Sequence, residues 1–227
     1  MTAHPPLGYY AHIPRTEIQN WREEMNDDNS IRNAGLITIT GTLIGVGASI
    51  TRAANVSYPS AGSVSFGEIL TVIAFVSLFF GAAGLAQSGA WGRSSIAKIG
   101  FGAVFVGLSV AVLYEISLII QAEPSEMPGI LSGLLVGVGM LLVGGIVLQT
   151  GSWQGWRKFT PILIGAYPLF MVFSYPLLTS VPAVAGMGVQ SIDQALTGIW
   201  FIFWLPLGLA LWSATSQEIS ADTGAAS

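Results

Sequence analysis

The residue with the strongest potential for chemistry in this sequence is Glu115, which follows Tyr114 inside a long apolar stretch. It is the only acidic residue that we place within a predicted membrane span. An ionisable group such as Asp, Lys or Arg at mid-helix costs about 2.5 to 3.5 kcal/mol on insertion scales, so such residues often bind protons or cations. Glu115 lies only about 8 Å from the end of its apolar stretch, at 1.5 Å per residue, so its carboxylate also has access to interfacial water. A binding role and a structural contact are therefore both open.

Arg52 is the expected partner of this carboxylate. It lies at the end of the first apolar stretch, and Glu115 lies near the end of the third. Two spans separated by one other span cross a membrane in the same direction, so both residues reach the same side. We predict a contact between Glu115 and Arg52 that fastens the two helices together.

The fifth apolar stretch contains a repeated tripeptide, Tyr167-Pro168-Leu169 and Tyr175-Pro176-Leu177. The spacing of eight places both tyrosines on roughly one helix face. An interior proline removes a backbone hydrogen bond and tends to kink a helix, and transporters build substrate sites at broken helices. Packing alone also accounts for prolines in membrane helices. The candidate binding residues are Glu115, Arg52, Tyr114, Tyr167 and Tyr175.

The apolar stretches lack the residues that common membrane chemistry requires. The sequence has no cysteine, and His4 and His12 both precede the first apolar stretch, so thiolate chemistry, haem, zinc and a Ser-His pair have no usual ligand or base there. The stretches contain no lysine for a retinal Schiff base, and no phosphate-binding loop of the Gly-rich Lys-Ser/Thr type occurs. The formal net charge is -4, without a basic stripe for nucleic acid. We expect no catalytic residue, metal, cofactor or nucleic-acid partner.

Six long apolar stretches make up most of the chain, whose 227 residues are 52% hydrophobic and 9% charged. A soluble domain carries about 25% charged residues, so this chain cannot cover a water-facing surface. A bilayer core about 30 Å thick requires roughly 17 to 25 apolar residues per helix. We therefore predict an all-α membrane protein, a bundle of six transmembrane helices, over approximately 34–50, 69–86, 99–120, 129–148, 161–178 and 195–212.

The basic residues predict the orientation, because cytoplasmic segments carry an excess of Lys and Arg. All of them except Arg52 precede the first span or lie between spans two and three or spans four and five. Both termini are therefore predicted in the cytoplasm. We expect a cytoplasmic arm over 1–33, either a short interfacial helix or a solvated segment, a membrane domain over 34–212, and a disordered cytoplasmic tail over 213–227. The small size and compact loops favour the plasma membrane of a prokaryote.

Two segments of the chain resemble each other. Residues 87–91 read Gln-Ser-Gly-Ala-Trp and residues 149–153 read Gln-Thr-Gly-Ser-Trp, each at the end of an apolar stretch. A duplication of the two helical hairpins, as in some transporters, explains the likeness. The common preference for Trp at a membrane boundary explains it equally.

Glycines recur at intervals of four residues in the fourth stretch, at Gly129, Gly133 and Gly137. In lipid, small residues at this spacing let helix backbones approach closely. Packing within the chain is the main interpretation, and a homo-oligomer or another membrane partner is the alternative.

These patterns favour a multi-pass integral membrane protein that is not an enzyme, with the lipid bilayer as its surroundings and a role as a subunit, an assembly factor or a sensor. The missing catalytic groups and the glycine-lined helices support this interpretation. The alternative is a small transporter or channel that uses Glu115 and a proline-broken fifth helix.

Overall fold

The computed structural model of the chain describes residues 15–56, 66–92, 94–120, 127–180 and 189–214, and places side chains in all of these except 15–27, 55–56, 175–179 and 189–191. This part of the chain is helical and contains no strand. Its six α-helices are α1 (Arg15–Val56), α2 (Phe66–Gln87), α3 (Ser95–Ile119), α4 (Met127–Thr150), α5 (Thr160–Ser180) and α6 (Val189–Trp212), and a short 3-10 helix (Arg157–Phe159) precedes α5.

Five of these helices contain a segment long and apolar enough to cross a membrane. The segments are Asp28–Ala54, Phe66–Gln87, Ser95–Ile119, Met127–Thr150 and Ile192–Trp212. The structure thus supports the predicted all-helical membrane protein. The fifth predicted span, 161–178, coincides with α5, whose side chains are described only in part, so that span stays a prediction.

The helices extend beyond the predicted spans at several ends. α1 begins at Arg15, so the helix of the first span continues back into the predicted N-terminal arm. α2 and α6 begin a few residues earlier than predicted, so Glu68 and Asp193 fall within the segments that are long and apolar enough to cross a membrane, and Asp28 begins the first of these segments. Glu115 is therefore not the only acidic residue in these segments. The reason is that hydropathy detects the hydrocarbon core, whereas a helix continues into the wetter boundary without apolar side chains.

The six helices pack in chain order around a closed bundle. α1 makes extensive contacts with both α2 and α6, α3 packs along α4, and α4 along α5, while the contacts between α2 and α3 and between α5 and α6 are less extensive. Successive helices alternate in direction, so the bundle has two ends. We call the end with Arg32, Lys98, Arg157 and Lys158 the basic end, and the end with Arg52, Glu68, Glu115 and Asp193 the acidic end.

Glycines bring the helix backbones together where these contacts are closest. A Cβ atom on Gly100 of α3 would lie 2.7 Å from the carbonyl oxygen of Gly139 in α4, and one on Gly165 of α5 would lie 2.6 Å from that of Gly137. Both distances are far below van der Waals contact, so no side chain fits at either position. Helices in lipid gain little free energy of association from the hydrophobic effect. Their association usually depends on close backbone contact, which small residues at the interface allow.

The predicted glycine face of α4 is covered by the chain itself. Gly129 faces the ring of Tyr114, Gly133 faces Pro168, and Gly137 packs against the backbone of α5. These contacts favour the interpretation as packing within the chain.

The two similar segments adopt similar turns at the basic end. Gly89 and Gly151 both have φ +69°, and the first glycine after each segment, Gly92 and Gly155, has φ +61° and +62° respectively. Only glycine adopts this left-handed conformation readily, and it commonly follows the last turn of a helix. The turns also touch, because the hydroxyls of Thr150 and Ser152 donate hydrogen bonds of 2.8 and 2.9 Å to the carbonyl of Ala90.

Proline does not end the fifth helix. α5 is continuous from Thr160 to Ser180 and passes through Pro168, and α6 likewise contains Pro206 in its interior. The fifth helix is therefore not broken at Pro168, whereas a kink without a break, which proline commonly causes, stays a prediction.

Candidate functional site

Arg52 and Glu115 form an ion pair at the acidic end of the bundle. Nη1 of the guanidinium donates to both carboxylate oxygens of Glu115, at 3.2 and 3.0 Å. The predicted contact between the two residues is confirmed. A charge-assisted bond to both oxygens is stronger than a bond between neutral groups, and it fixes the rotamers of both side chains.

The Arg52 side chain reaches Glu115 by passing over α2, which packs against both α1 and α3. Gly67 makes this path possible. A Cβ atom there would lie 2.7 Å from Cγ of Arg52 and 3.3 Å from the carbonyl oxygen of Ala48. The ion pair therefore depends on a glycine in the first turn of the helix that it crosses.

Both members of the pair are largely shielded from the surface, with side-chain exposures of 15% for Arg52 and 8% for Glu115. Charges taken out of water lose hydration energy that only a well-placed partner restores. Neither side chain is therefore stable in this position without the other. The pair links α1 to α3, two helices that are not neighbours in the chain.

Two further carboxylates act electrostatically on this pair. Glu68 of α2 and Asp193 of α6 both repel the charge of Glu115, and both make other interactions of their own. The acidic end thus holds three carboxylates, of which Glu115 is paired with the guanidinium of Arg52. Among the described residues, no group of three His, Cys, Asp or Glu side chains is arranged to hold a metal ion.

The predicted tyrosines lie in different surroundings. The ring of Tyr114 packs toward Gly129 of α4, 3.7 Å from the position that a Cβ would take there. Tyr167 donates a 2.8 Å hydrogen bond to the carbonyl oxygen of Leu196, and its ring lies 4.9 Å from that of Phe203. Tyr167 therefore links α5 to α6. The side chain of Tyr175 lies outside the described residues.

The bundle contains a second set of buried polar groups, of which sequence reasoning missed Gln194, Trp200 and Trp204. Within the described part of the chain, buried polar atoms of Thr42, Gln194, Trp200 and Trp204 have no hydrogen-bond partner. The position of Trp204 in the sequence was a signal that this side chain is unusual. Trp normally lies at the membrane boundary, whereas Trp204 lies eight residues before the end of α6. The burial of these polar groups and their lack of partners depend on helix packing.

Comparisons with known protein families, curated proteins and solved structures find no match to this chain. The class of the protein therefore rests on its helices, which are those of an integral membrane protein.

Proposed function

We propose that this membrane protein has no enzymatic activity and acts by contact with a partner, as a subunit, an assembly factor or a sensor. The Arg52–Glu115 pair carries the proposal. The carboxylate that would serve as an ion-binding group already accepts hydrogen bonds from a guanidinium on both oxygens. A buried charge that is neutralised in this way holds two helices together, and it is a weak ligand for another cation until the pair opens.

The dense packing of the bundle interior supports the proposed contact function. Large side chains occupy its interior with no exposed surface, among them Leu78, Leu108, Met140, Phe201 and Trp204. Interiors packed in this way resist deformation. A contact protein benefits from such rigidity, because a fixed surface loses little entropy when it binds a partner.

We further infer six spans with both termini on the cytoplasmic side, in the plasma membrane of a prokaryote. α4 ends at Thr150 near the basic end, and α6 begins at Val189 near the acidic end. The chain has to cross the bundle between these points, and α5 is the helix that connects them. Lys and Arg residues gather at the basic end, which is the pattern of a cytoplasmic face. The similar turns at this end also support a duplicated hairpin.

The basic end is the contact surface that we propose. It presents aromatic side chains in a fixed framework: Trp156 is 52% exposed, Phe159 46% and Trp212 45%. Its loops are held together by the hydrogen bonds to the Ala90 carbonyl. α1 adds further surface, because its 42 residues span about 63 Å at 1.5 Å per residue, about twice the thickness of a bilayer core.

Photo-crosslinking in native membranes tests the contact surface. A photoreactive amino acid replaces Trp156 or Phe159 in one pair of variants, and Leu113 or Phe173 in the control pair, whose side chains are 66% and 76% exposed on the apolar sides of the helices. We expect a discrete protein adduct from the first pair and only lipid adducts from the second. Equal adducts from both pairs, or none from either, would contradict the proposal.

A small transporter or channel is the second candidate, and the carboxylates at the acidic end favour it. Proton- and ion-flux assays in liposomes distinguish the two functions, with wild type compared to Glu115→Gln. The contact proposal predicts flux no higher than that of protein-free vesicles for both proteins. Gradient-driven flux in the wild type that a folded Glu115→Gln protein lacks would establish transport instead.

A further inference from the structure

A groove runs along the outer surface between α1 and α2, near the basic end of the bundle. One end of the groove has a polar rim, formed by the exposed side chains of Ser30 and Asn33 on α1 and Gln87 on α2. The hydroxyl of Ser30 donates a 3.1 Å hydrogen bond to Oε1 of Gln87 and so joins the two helices at this level. Ser30 is the third residue of its apolar segment and Gln87 the last residue of the next. The polar rim therefore lies at the membrane boundary.

Beyond the polar rim the groove is apolar. The residues that line this part are Ala34 and Ile37 on α1 and Phe80, Ala83 and Gly84 on α2. Ile37 follows Ser30 by seven residues, and Phe80 precedes Gln87 by seven. Because the two helices are antiparallel, both lie on the same side of the rim, and the groove extends about 10 Å into the hydrocarbon at 1.5 Å per residue. The side chain of Phe80 is 47% exposed, so the groove is open toward the lipid.

The order of polarity along the groove is that of a lipid molecule at the same depth. A lipid places its phosphate and glycerol oxygens, which accept hydrogen bonds, at the boundary and its acyl chains below them. Hydroxyl and carboxamide groups such as those of the rim donate hydrogen bonds. None of the lining residues is charged. Arg32 is two residues from Ser30, about 200° around α1 at 3.6 residues per turn, and so lies on the opposite side of the helix.

The size of the groove favours a narrow occupant. Its volume is about 220 Å³, smaller than the roughly 300 to 1,000 Å³ of pockets that enclose a whole drug-sized ligand. A helix of a second copy does not fit either, because a cylinder 10 Å wide and 10 Å long occupies roughly 800 Å³. A lipid needs only to place the upper part of one acyl chain in the groove, and the rest of the molecule stays in the bilayer.

We propose that the groove between α1 and α2 binds one membrane glycerolipid, whose headgroup and glycerol oxygens accept hydrogen bonds from the polar rim while one acyl chain lies in the apolar part. The rim distinguishes this site from the purely apolar sides of the helices, where no hydrogen bond holds a lipid. Because no charged side chain lines the groove, binding does not depend on the charge of the headgroup. The inference is independent of the contact function, since a bound lipid is compatible with a subunit, a sensor or a transporter.

Native mass spectrometry of the full chain tests the site. The protein is stripped of lipid in detergent and titrated with dioleoyl phosphatidylethanolamine or dioleoyl phosphatidylglycerol. We expect one bound molecule of either lipid, with similar affinities. Binding of phosphatidylglycerol alone would overturn the proposal, because basic residues outside the groove would then hold the headgroup. A dimer that binds no lipid would overturn it in favour of a second copy of the chain.

Matched substitutions show whether the lipid occupies this groove. Asn33→Leu removes a donor from the rim and should weaken binding about fivefold, the equivalent of one hydrogen bond. Its control is Asn29→Leu, an exposed position one helical turn outside the groove. Ala83→Phe fills the apolar part and should abolish binding, whereas Ala166→Phe, at an exposed position on α5, should bind as wild type does. Equal binding by all four variants would show a non-specific lipid coat and overturn the proposal. If its melting temperature shows that Ala83→Phe does not fold, the two asparagine variants decide.

A photoreactive lipid locates the bound molecule without any substitution. Phosphatidylethanolamine with a diazirine near the carboxyl end of one acyl chain is added to wild-type protein in vesicles of the same two dioleoyl lipids. After illumination, peptide mass spectrometry identifies the modified residues. We expect the adducts to concentrate in 30–37 and 80–87. Adducts spread evenly over the exposed residues of all helices would overturn the proposal.

Discussion

Breaking the Arg52–Glu115 pair from one side should destabilise the protein more than removing it entirely. The relevant variants are Arg52→Met, Glu115→Leu and the double substitution. Each single change leaves the other charge largely buried, with 15% of the Arg52 side chain or 8% of the Glu115 side chain exposed. The double change replaces both charges by apolar groups that suit the surroundings.

The magnitudes follow from the geometry of the pair. Unit charges 3.0 Å apart attract by roughly 5 to 6 kcal/mol at an effective dielectric constant of about 20. The loss of hydration offsets most of this attraction, so a buried pair contributes little net stability, whereas one charge left alone costs about 3 to 5 kcal/mol. We expect each single variant to lose about 3 kcal/mol, at the low end because part of Arg52 reaches the surface, and the double variant to lose about 1 kcal/mol.

Equilibrium unfolding in mixed micelles, followed by circular dichroism, measures these free energies. The double-mutant cycle should give a coupling energy of about 5 kcal/mol, because the two single losses together exceed the loss in the double variant by that amount. Lys98→Met, an exposed change at the basic end, is the control and should alter stability by less than about 0.5 kcal/mol. Additive losses in the double variant would refute the reasoning, because they would mean that the two charges are stabilised independently.

Three further substitutions test other contacts between the helices. Gly67→Leu should destabilise the protein by about 3 kcal/mol or more, as overpacking does, because a side chain there displaces the stem of Arg52. Gly47 has open space around it, so the free energy of unfolding of the control variant Gly47→Leu should stay near that of wild type in the same assay. Gly139→Leu should separate α3 from α4 and lower the yield of folded protein in size-exclusion chromatography. Gly145 also has open space around it, so the control variant Gly145→Leu should elute as wild type does. Equal yields from the two variants would show that the contact of Gly139 with the backbone of α3 is not needed for folding. Tyr167→Phe should cost about 1 kcal/mol, the usual value of one hydrogen bond, because it removes the donor to α6. An unchanged melting temperature would show that this bond contributes nothing.

The sequence predicted the class of fold well, because transfer of a helix into lipid depends on the composition of each stretch. Runs of apolar residues without charge identify a membrane helix whatever its neighbours are. The five helices that are long and apolar enough to cross a membrane overlap the predicted stretches closely. The ends were less accurate: the additional turn of α2 that contains Glu68, and that of α6 that contains Asp193, lie in the boundary region, where hydropathy carries little information.

The ion pair could be predicted because few polar residues compete for partners in such a chain. Arg52 is the basic residue at the acidic end. Glu115 reaches the same end because the first and third spans cross the membrane in the same direction. The route of the arginine could not be predicted. It depends on Gly67, which in the sequence is one glycine among 28.

The sequence by itself determined that this protein is a helical membrane protein, that Arg52 and Glu115 reach the same side, and that the usual catalytic groups are missing from its apolar stretches. The tertiary structure alone decided which face of each helix meets which neighbour, and so turned Gly45 of α1 toward Phe201 and Gly137 of α4 toward α5. The physical reason is the solvent. In lipid all faces of an apolar helix are nearly equivalent in transfer free energy, so the rotation of a helix about its axis depends on close contact and hydrogen bonding with its neighbours.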